Sequence, residues 1–255
     1  MNAILLAAGY GTRLYPLTKD CPKALLPLGK GVVLEIIVEA LTGVPGVSRV
    51  ALVTNHRFIG QFQAWQSRRP VKLELIDDGS TTPETRLGAI RDLRLGLEQV
   101  GLDDDVLVLG TDNLFTWSLA DLVAFAQSKR PASTVALRQT SSLEEACRSA
   151  VVEVDAEGWL VHCVEKPDPA HLSPRPPCWV ALCVYYFPTP CLGRVDEFVR
   201  LGGNVDAPGY FIEWLVKHDR VYGFLTQGGW CDIGSQETYQ RAVHQFARQS
   251  EGRRT

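Results

Sequence analysis

The sequence predicts an α/β fold of three layers, with a mixed, mostly parallel central sheet between helices. Three observations carry this. Short apolar runs alternate with amphipathic segments through the first half of the chain. Several of those runs end directly in glycine or small polar turns. The second half adds a hairpin pattern and further helices.

Ala3–Ala7 is a short apolar run ending in Gly9 and Gly11, a buried strand feeding a glycine turn. Val32–Leu41 carries apolar residues at helical spacing and stops near Gly43. Arg49–Thr54 reads as a second strand, Phe58–Gln66 as a helix and Val71–Ile76 as a third strand. Arg86–Glu98 is amphipathic, with Leu87, Ile90, Leu93 and Leu97 on one face. Val106–Leu109 is a strand running straight into Gly110-Thr111-Asp112, and Ser118 can cap a helix over Leu119–Gln127. Val151–Val154 and Leu160–Val164 flank a turn at Asp155–Gly158. Val180–Phe187 is a strand, with helices near Cys191–Leu201 and Pro208–Lys217. Val221–Leu225 is a late strand, and Ser235–Ala247 a final helix. This order defines a Rossmann-like architecture. One domain over 1–248 and a polar, frayed tail over 249–255 are expected.

The composition narrows the partners. The chain has 255 residues, of which 45 % are hydrophobic and 22 % charged, the mixture of a globular protein with a full core. A formal charge of −3 supplies no basic field for nucleic acid or a membrane surface, so an anion site must be built locally. Seven cysteines at irregular spacing, with no Cys-x-x-Cys pair, point to free thiols in a reducing cytoplasm. The N-terminus lacks a basic region and a cleavage site, and no apolar run reaches membrane-spanning length. Monomer or homodimer is the expected state.

The chemistry concentrates in Leu6-Ala-Ala-Gly-Tyr-Gly-Thr-Arg-Leu-Tyr-Pro-Leu-Thr18, followed by Pro22-Lys-Ala-Leu-Leu-Pro27. A glycine loop after a strand lets backbone N–H groups approach phosphate oxygens. Gly9 and Gly11 supply the loop, Arg13 a forked cation and Lys23 a point charge. The dinucleotide fingerprint fails because Leu14 stands where its third glycine belongs, and no Gly-Lys-Ser/Thr closes a Walker loop. Gly-x-Gly alone fits a tight turn with two surface cations; the full run, with its Pro-Lys-x-Leu-x-Pro extension, argues against that bland reading. Asp112 lies just past a strand's C-terminal end, where open α/β sheets bind ligands, although a lone aspartate there also serves as a turn former. With Asp232 it could hold Mg²⁺, which takes few carboxylates plus phosphate and water. Asp206 opens a helix and could be only its cap.

The N-terminal run resembles the first motif of the sugar-1-phosphate nucleotidylyltransferases, and later segments match that family in order. Gly110-Thr-Asp-Asn-Leu-Phe115 resembles its Gly-Asp-Asn-x-Phe, Val164-Glu-Lys-Pro167 its Glu-Lys-Pro, and Trp230-Cys-Asp-Ile-Gly234 its Trp-x-Asp-x-Gly. The resemblance implies the nucleotidyltransferase fold and transfer of a nucleotidyl group from a nucleoside triphosphate to a phosphorylated small molecule. It implies nucleotide contacts at Leu6, Ala8, Gly9, Gly11, Thr12, Arg13 and Gly88, and catalytic roles for Arg13, Lys23, Asp112 and Lys166. It assigns Mg²⁺ to Asp112 and Asp232, the acceptor phosphate to Lys166, a sugar hydroxyl to Glu165 and part of the acceptor pocket to Asp206. Two departures concern the acceptor. Ser149-Ala150 stands where many relatives have an aromatic followed by glycine, and Cys183 where many have glycine. They keep open a non-sugar acceptor, such as phosphocholine or a cyclitol phosphate, used by a cytidylyltransferase or similar enzyme. The base is also open, because the thymidylyl pattern before Gly88 is not reproduced. A glycosyltransferase would place two aspartates around one residue, and Thr111-Asp112-Asn113 offers one.

Overall fold

A computed structural model describes residues 1–173 and 175–252. Its first half comprises β1 (Asn2–Leu6), β2 (Pro27–Leu28), β3 (Gly31–Val32), α1 (Val33–Thr42), β4 (Arg49–Thr54), α2 (Ile59–Gln66), β5 (Glu74–Asp77), α3 (Ala89–Val100), β6 (Val106–Gly110), β7 (Asn113–Phe115) and α4 (Leu119–Ser128). The second half adds β8 (Ser133–Thr140), α5 (Leu143–Ala146), β9 (Ala150–Val154), β10 (Leu160–Glu165), β11 (Cys178–Phe187), α6 (Thr189–Arg200), α7 (Pro208–His218), β12 (Val221–Leu225), β13 (Trp230–Asp232) and α8 (Gln236–Gly252).

The nine-stranded sheet runs β10-β9-β11-β6-β1-β4-β5, with β8 and β12 continuing from β11. β1, β4, β5 and β6 are mutually parallel, and β8, β9 and β12 share their direction; β10 and β11 oppose it. The sheet is therefore mixed and mostly parallel, as expected.

Both faces are covered because the strands are apolar on both sides. Along β1, Ala3 and Leu5 join one core with Leu34, Phe62 and Leu122 of α1, α2 and α4. Ile4 joins the other with Ile90, Leu192 and Phe211 of α3, α6 and α7. A smaller core of Leu14, Leu26, Leu114, Ile233 and Tyr239 ties the glycine-loop region to β7, β13 and α8.

Most predicted elements occur within a few residues of their expected limits. Ser118 caps α4, its hydroxyl accepting from the Asp121 amide at 3.1 Å. Helix α3 starts at Ala89 rather than Arg86, because Gly88 has φ 92°, outside helical space. A side chain there would also stand 2.5 Å from the Val205 carbonyl oxygen. Strand β5 begins at Glu74, opposite Ala51 of β4, its one partner among the described residues. Helix α8 extends to Gly252, so the expected tail at 249–252 is helical backbone; 253–255 lie outside the described residues.

Several features were not expected, the short β2–β3 pair among them. β8 is nearly buried throughout, but Ser133, Thr134 and Ala136 give it little hydrophobic contrast. α5 is a single turn, and β7 and β13 form a three-residue ribbon joining positions more than a hundred residues apart.

Candidate active site

The long strand β11 explains how the two halves meet. Its C-terminal part pairs with β6, Val184 opposite Leu109. Its N-terminal part runs past the end of β6 and pairs there with β9, Ala181 opposite Ala150. Ala150 pairs in turn with Glu165 of β10. Register alone therefore brings Ala150 and Glu165 to the level just beyond Gly110, where the chain turns into Asp112. A cleft of about 550 Å³ opens at this level, and Arg13, Asp112, Ala150, Glu165, Cys183 and Asp232 are among its lining.

Lys23 follows Pro22 on a short 3₁₀ turn, and its Nζ donates to Asp112 Oδ2 at 2.9 Å. The β7–β13 ribbon sets Asp232 opposite Asn113 and so beside Asp112. Burial would raise the Asp112 carboxyl, but Lys23, by charge and hydrogen bond, outweighs it and holds the group below the ordinary carboxylate range. Burial and then the charge of Asp112 push Asp232 up to about 6. Two carboxylates thus converge with one cation already bonded, beside the exposed Arg13.

The glycine loop is held from beneath. Buried Asn55 donates to the Ala8 carbonyl at 2.9 Å, and Thr111 Oγ1 donates to the Leu6 carbonyl at 2.9 Å. Thr18 Oγ1 donates to the Gly11 carbonyl at 2.7 Å, and Gly11 adopts φ 61°. Gly9 is exposed, with open space where a side chain would project. Thr12 is also exposed.

At the other end, Lys166 adopts φ 49°, a left-handed conformation unusual for a residue with a β-carbon. This breaks the strand alternation, so Lys166 Nζ lies 3.7 Å from the carboxylate of its neighbour Glu165 and over the Tyr210 ring at 5.8 Å. The Glu165 side chain is 6 % exposed, and burial pushes its carboxyl up to about 6 despite Lys166. Gly209, in the first turn of α7, makes room for it: a β-carbon there would stand 1.9 Å from Glu165 Oε2.

Of the expected residues, Arg13, Asp112, Glu165 and Asp232 line the cleft, whereas Leu6, Ala8, Gly9, Gly11, Thr12, Lys23, Gly88, Lys166 and Asp206 are not part of its wall. Asp206 accepts from Arg86 Nη2 at 2.9 Å, and Gly88 packs on Val205. The two form a junction between the β5–α3 loop and the loop before α7. Nor did the sequence single out Asn113, Trp230 or Arg138, all of which line the cleft. Asn113 and Trp230 stand inside the quoted motifs, which was the available signal; Arg138 lies on β8 and gave none. Among the described residues there is no cluster of three or more His, Cys, Asp or Glu suited to a metal. The seven cysteines are unpaired. No described helix is long and apolar enough to cross a membrane.

The fold and this cleft at the end of the parallel strands are those of an α/β family that the comparisons identify. Residues 2–249 match the nucleotidyl transferase family, and the chain belongs to it. It is 27 % identical over 247 residues to the low-salt glycan biosynthesis nucleotidyltransferase Agl11 of Haloferax volcanii, covering 93 % of this chain and 63 % of that protein. It is 30 % identical over 239 residues to a glucose-1-phosphate thymidylyltransferase of Streptomyces antibioticus, covering 92 % and 63 %. The chain thus spans less than two thirds of these relatives. A UDP-glucose pyrophosphorylase solved with UDP-glucose superposes with a TM-score of 0.77 at 21 % identity, over 97 % of this chain and 98 % of that one.

Proposed function

We propose that the protein transfers a nucleotidyl group from a nucleoside triphosphate to a sugar 1-phosphate, forming a nucleoside diphosphate sugar and pyrophosphate. The observation that carries this reading is the convergence of Lys23, Asp112 and Asp232 beside Arg13, in one cleft with Glu165. An oxygen of the acceptor phosphate attacks the α-phosphorus in line, and the bond from that phosphorus to the bridging oxygen of pyrophosphate breaks. The acceptor phosphate is anionic at neutral pH, so the protein's task is to position and neutralise. Arg13 receives the charge gathering on pyrophosphate, and Lys23 and Lys166 neutralise the reacting phosphates. Leu6, Ala8, Gly9, Gly11 and Thr12 belong to the nucleotide side and Glu165 to the acceptor side; Gly88 and Asp206, held in the junction outside the cleft wall, act at most by shaping the loops beside it.

Mg²⁺ fits the donor set. Asp112 and Asp232 are hard oxygen ligands crowded enough to repel each other, and a divalent ion relieves that repulsion. When bound, the ion supplies charge stabilisation to the phosphoryl oxygens. The unpaired thiols suit a reducing cytoplasm. Monomer or homodimer fits this reading.

A second reading keeps the chemistry and changes the acceptor to phosphocholine, a cyclitol phosphate or another non-sugar. One observation favours it: Ala150 and Cys183, at positions where the resemblance leads one to expect glycine, both line the cleft. Both side chains take space in the cleft.

The test is a pyrophosphate-release screen of several nucleoside triphosphates against phosphorylated acceptors, with and without chelator. Asp112→Asn and Asp232→Asn should each lower kcat by about 10² or more. Near-normal turnover in either variant, or full activity in excess chelator, would remove the metal assignment. Pyrophosphate release with no acceptor in the panel would remove the transfer reading.

A further inference from the structure

Asp112 is oriented from both sides, and only one of those sides belongs to the phosphate-binding machinery. Its Oδ2 takes the Lys23 ammonium. Its Oδ1 accepts from the Asn113 Nδ2 amide at 2.8 Å. Asn113 is 6 % exposed, and its Oδ1 accepts in turn from the Trp230 indole Nε1 at 3.0 Å. The ribbon holds this geometry, because Trp230 and Asp232 sit two residues apart on β13 with Asp232 opposite Asn113. One face of the indole is covered by Arg138, its guanidinium carbon 4.1 Å from the ring centroid, and Arg138 is ion-paired with Glu145.

The chemistry of the groups gives the chain a direction. An indole nitrogen only donates, whereas an asparagine side chain has one end that accepts and one that donates. Facing the indole with its oxygen is the only favourable choice for Asn113. That choice points its NH₂ at Asp112, the end a carboxylate requires. A buried amide turned the other way would set its NH₂ against the indole N–H and its oxygen against the carboxylate, two unfavourable contacts where two good ones stood.

We propose that Trp230 is a positioning residue: acting through Asn113, it locks the orientation of the Asp112 carboxylate for a divalent cation. The inference rests on the cation reading above. Groups that orient a ligand are commonly worth about 10–100-fold in metal affinity or activity. Substrate contact by the Trp230 ring is a separate matter, because the relay needs only its N–H.

The test uses the full chain and Mn²⁺, titrated by electron paramagnetic resonance without substrates. Trp230→Phe keeps an aromatic ring for Arg138 and deletes the N–H. It should weaken Mn²⁺ binding about 10-fold and lower kcat, with the triphosphate KM within about twofold. Asn113→Ala should weaken Mn²⁺ similarly, and adding Trp230→Phe to it should change the affinity by less than about twofold, as two members of one relay must. Wild-type affinity in Trp230→Phe, or full additivity in the double variant, overturns the proposal. A second arm needs no metal. The Trp230 indole N–H resonance, identified by its loss in Trp230→Phe, should shift in Asp112→Asn; an unmoved resonance overturns the relay. Should the wild-type protein bind no Mn²⁺ while that resonance shifts, the cation reading falls and the relay stands, orienting Asp112 for Lys23.

Discussion

Lys166 shows how much a single residue can concede to a site. Its φ of 49° places a β-carbon where the backbone disfavours one, at a cost of about 1–3 kcal/mol. The return is that consecutive residues, Glu165 and Lys166, present their charges 3.7 Å apart instead of on opposite faces of a strand. Lys166→Gly should relieve the strain and match or exceed wild-type stability by up to about 1 kcal/mol in urea unfolding, while turnover with every phosphorylated acceptor falls. Lys166→Ala should lose turnover alike but be about 1 kcal/mol less stable than the glycine variant. Equal stability of the two would mean that the conformation carries no strain. Asp92 concedes something different. It lies in the first turn of α3, is 6 % exposed, and one of its oxygens is sealed with no hydrogen-bond partner. Burial, and then the charge of Asp78, push its carboxyl up to about 7 from an ordinary 3.8. The folded state therefore binds this proton more tightly than the unfolded state. Its favourable contribution is complete below about pH 4 and is lost as pH rises to about 7. Asp92→Asn should be more stable than wild type at pH 8, by on the order of 3 kcal/mol, and close to it at pH 4. Parallel stability curves across that range would contradict the assignment.

At the scale of elements, the contact between α7 and β10 decides whether Glu165 faces the cleft. Gly209 opens α7 against that carboxylate, and a β-carbon there would stand 1.9 Å from Glu165 Oε2. Gly209→Ala should displace Glu165 and lower kcat/KM for the acceptor about 10-fold, leaving the triphosphate KM near wild type. A change confined to the triphosphate would place the contact on the wrong side of the reaction. The pairing of β9 with β11 makes a second claim. Ala150 and Cys183 occupy space on the acceptor wall, and overfilling a packed pocket costs about 1–3 kcal/mol. Glucose 1-phosphate should therefore be a poor acceptor, and Ala150→Gly, alone or with Cys183→Gly, should improve its kcat/KM. A wild-type preference for glucose 1-phosphate would end this argument. Elements also set what could be read in advance. β1, β4 and β6 were legible because they are apolar on both faces and run within a few residues into glycine or small polar residues. β8 was not, since serine, threonine and alanine bury easily without announcing it. The cleft residues inside contiguous motifs, Arg13, Asp112 and Asp232, and Lys23 bonded to one of them, were legible for the same local reason. Arg138 and the turning of Asp206 toward Arg86 were not, because both depend on pairings across the fold.

Across the whole molecule, the sheet divides the labour. Its parallel half carries the glycine loop on β1 and the Asp112 turn on β6. Its other half, organised by β11, carries Ala150, Glu165 and Cys183. The halves share one continuous sheet, so the distance between them is set by strand spacing and register. The β7–β13 ribbon is the exception. It lies outside the main sheet and is closed by a segment that emerges only after β12, the last strand of that sheet. During synthesis, a chain that had reached Leu225 would already hold every strand of the main sheet, both of its covered faces, and the glycine loop with Lys23 and Asp112. It would lack Trp230 and Asp232. The sheet can thus be built before the cleft is complete, and completion waits for the last stretch of chain, when β13 docks on β7 and Tyr239 of α8 joins the small core around Leu14 and Leu26.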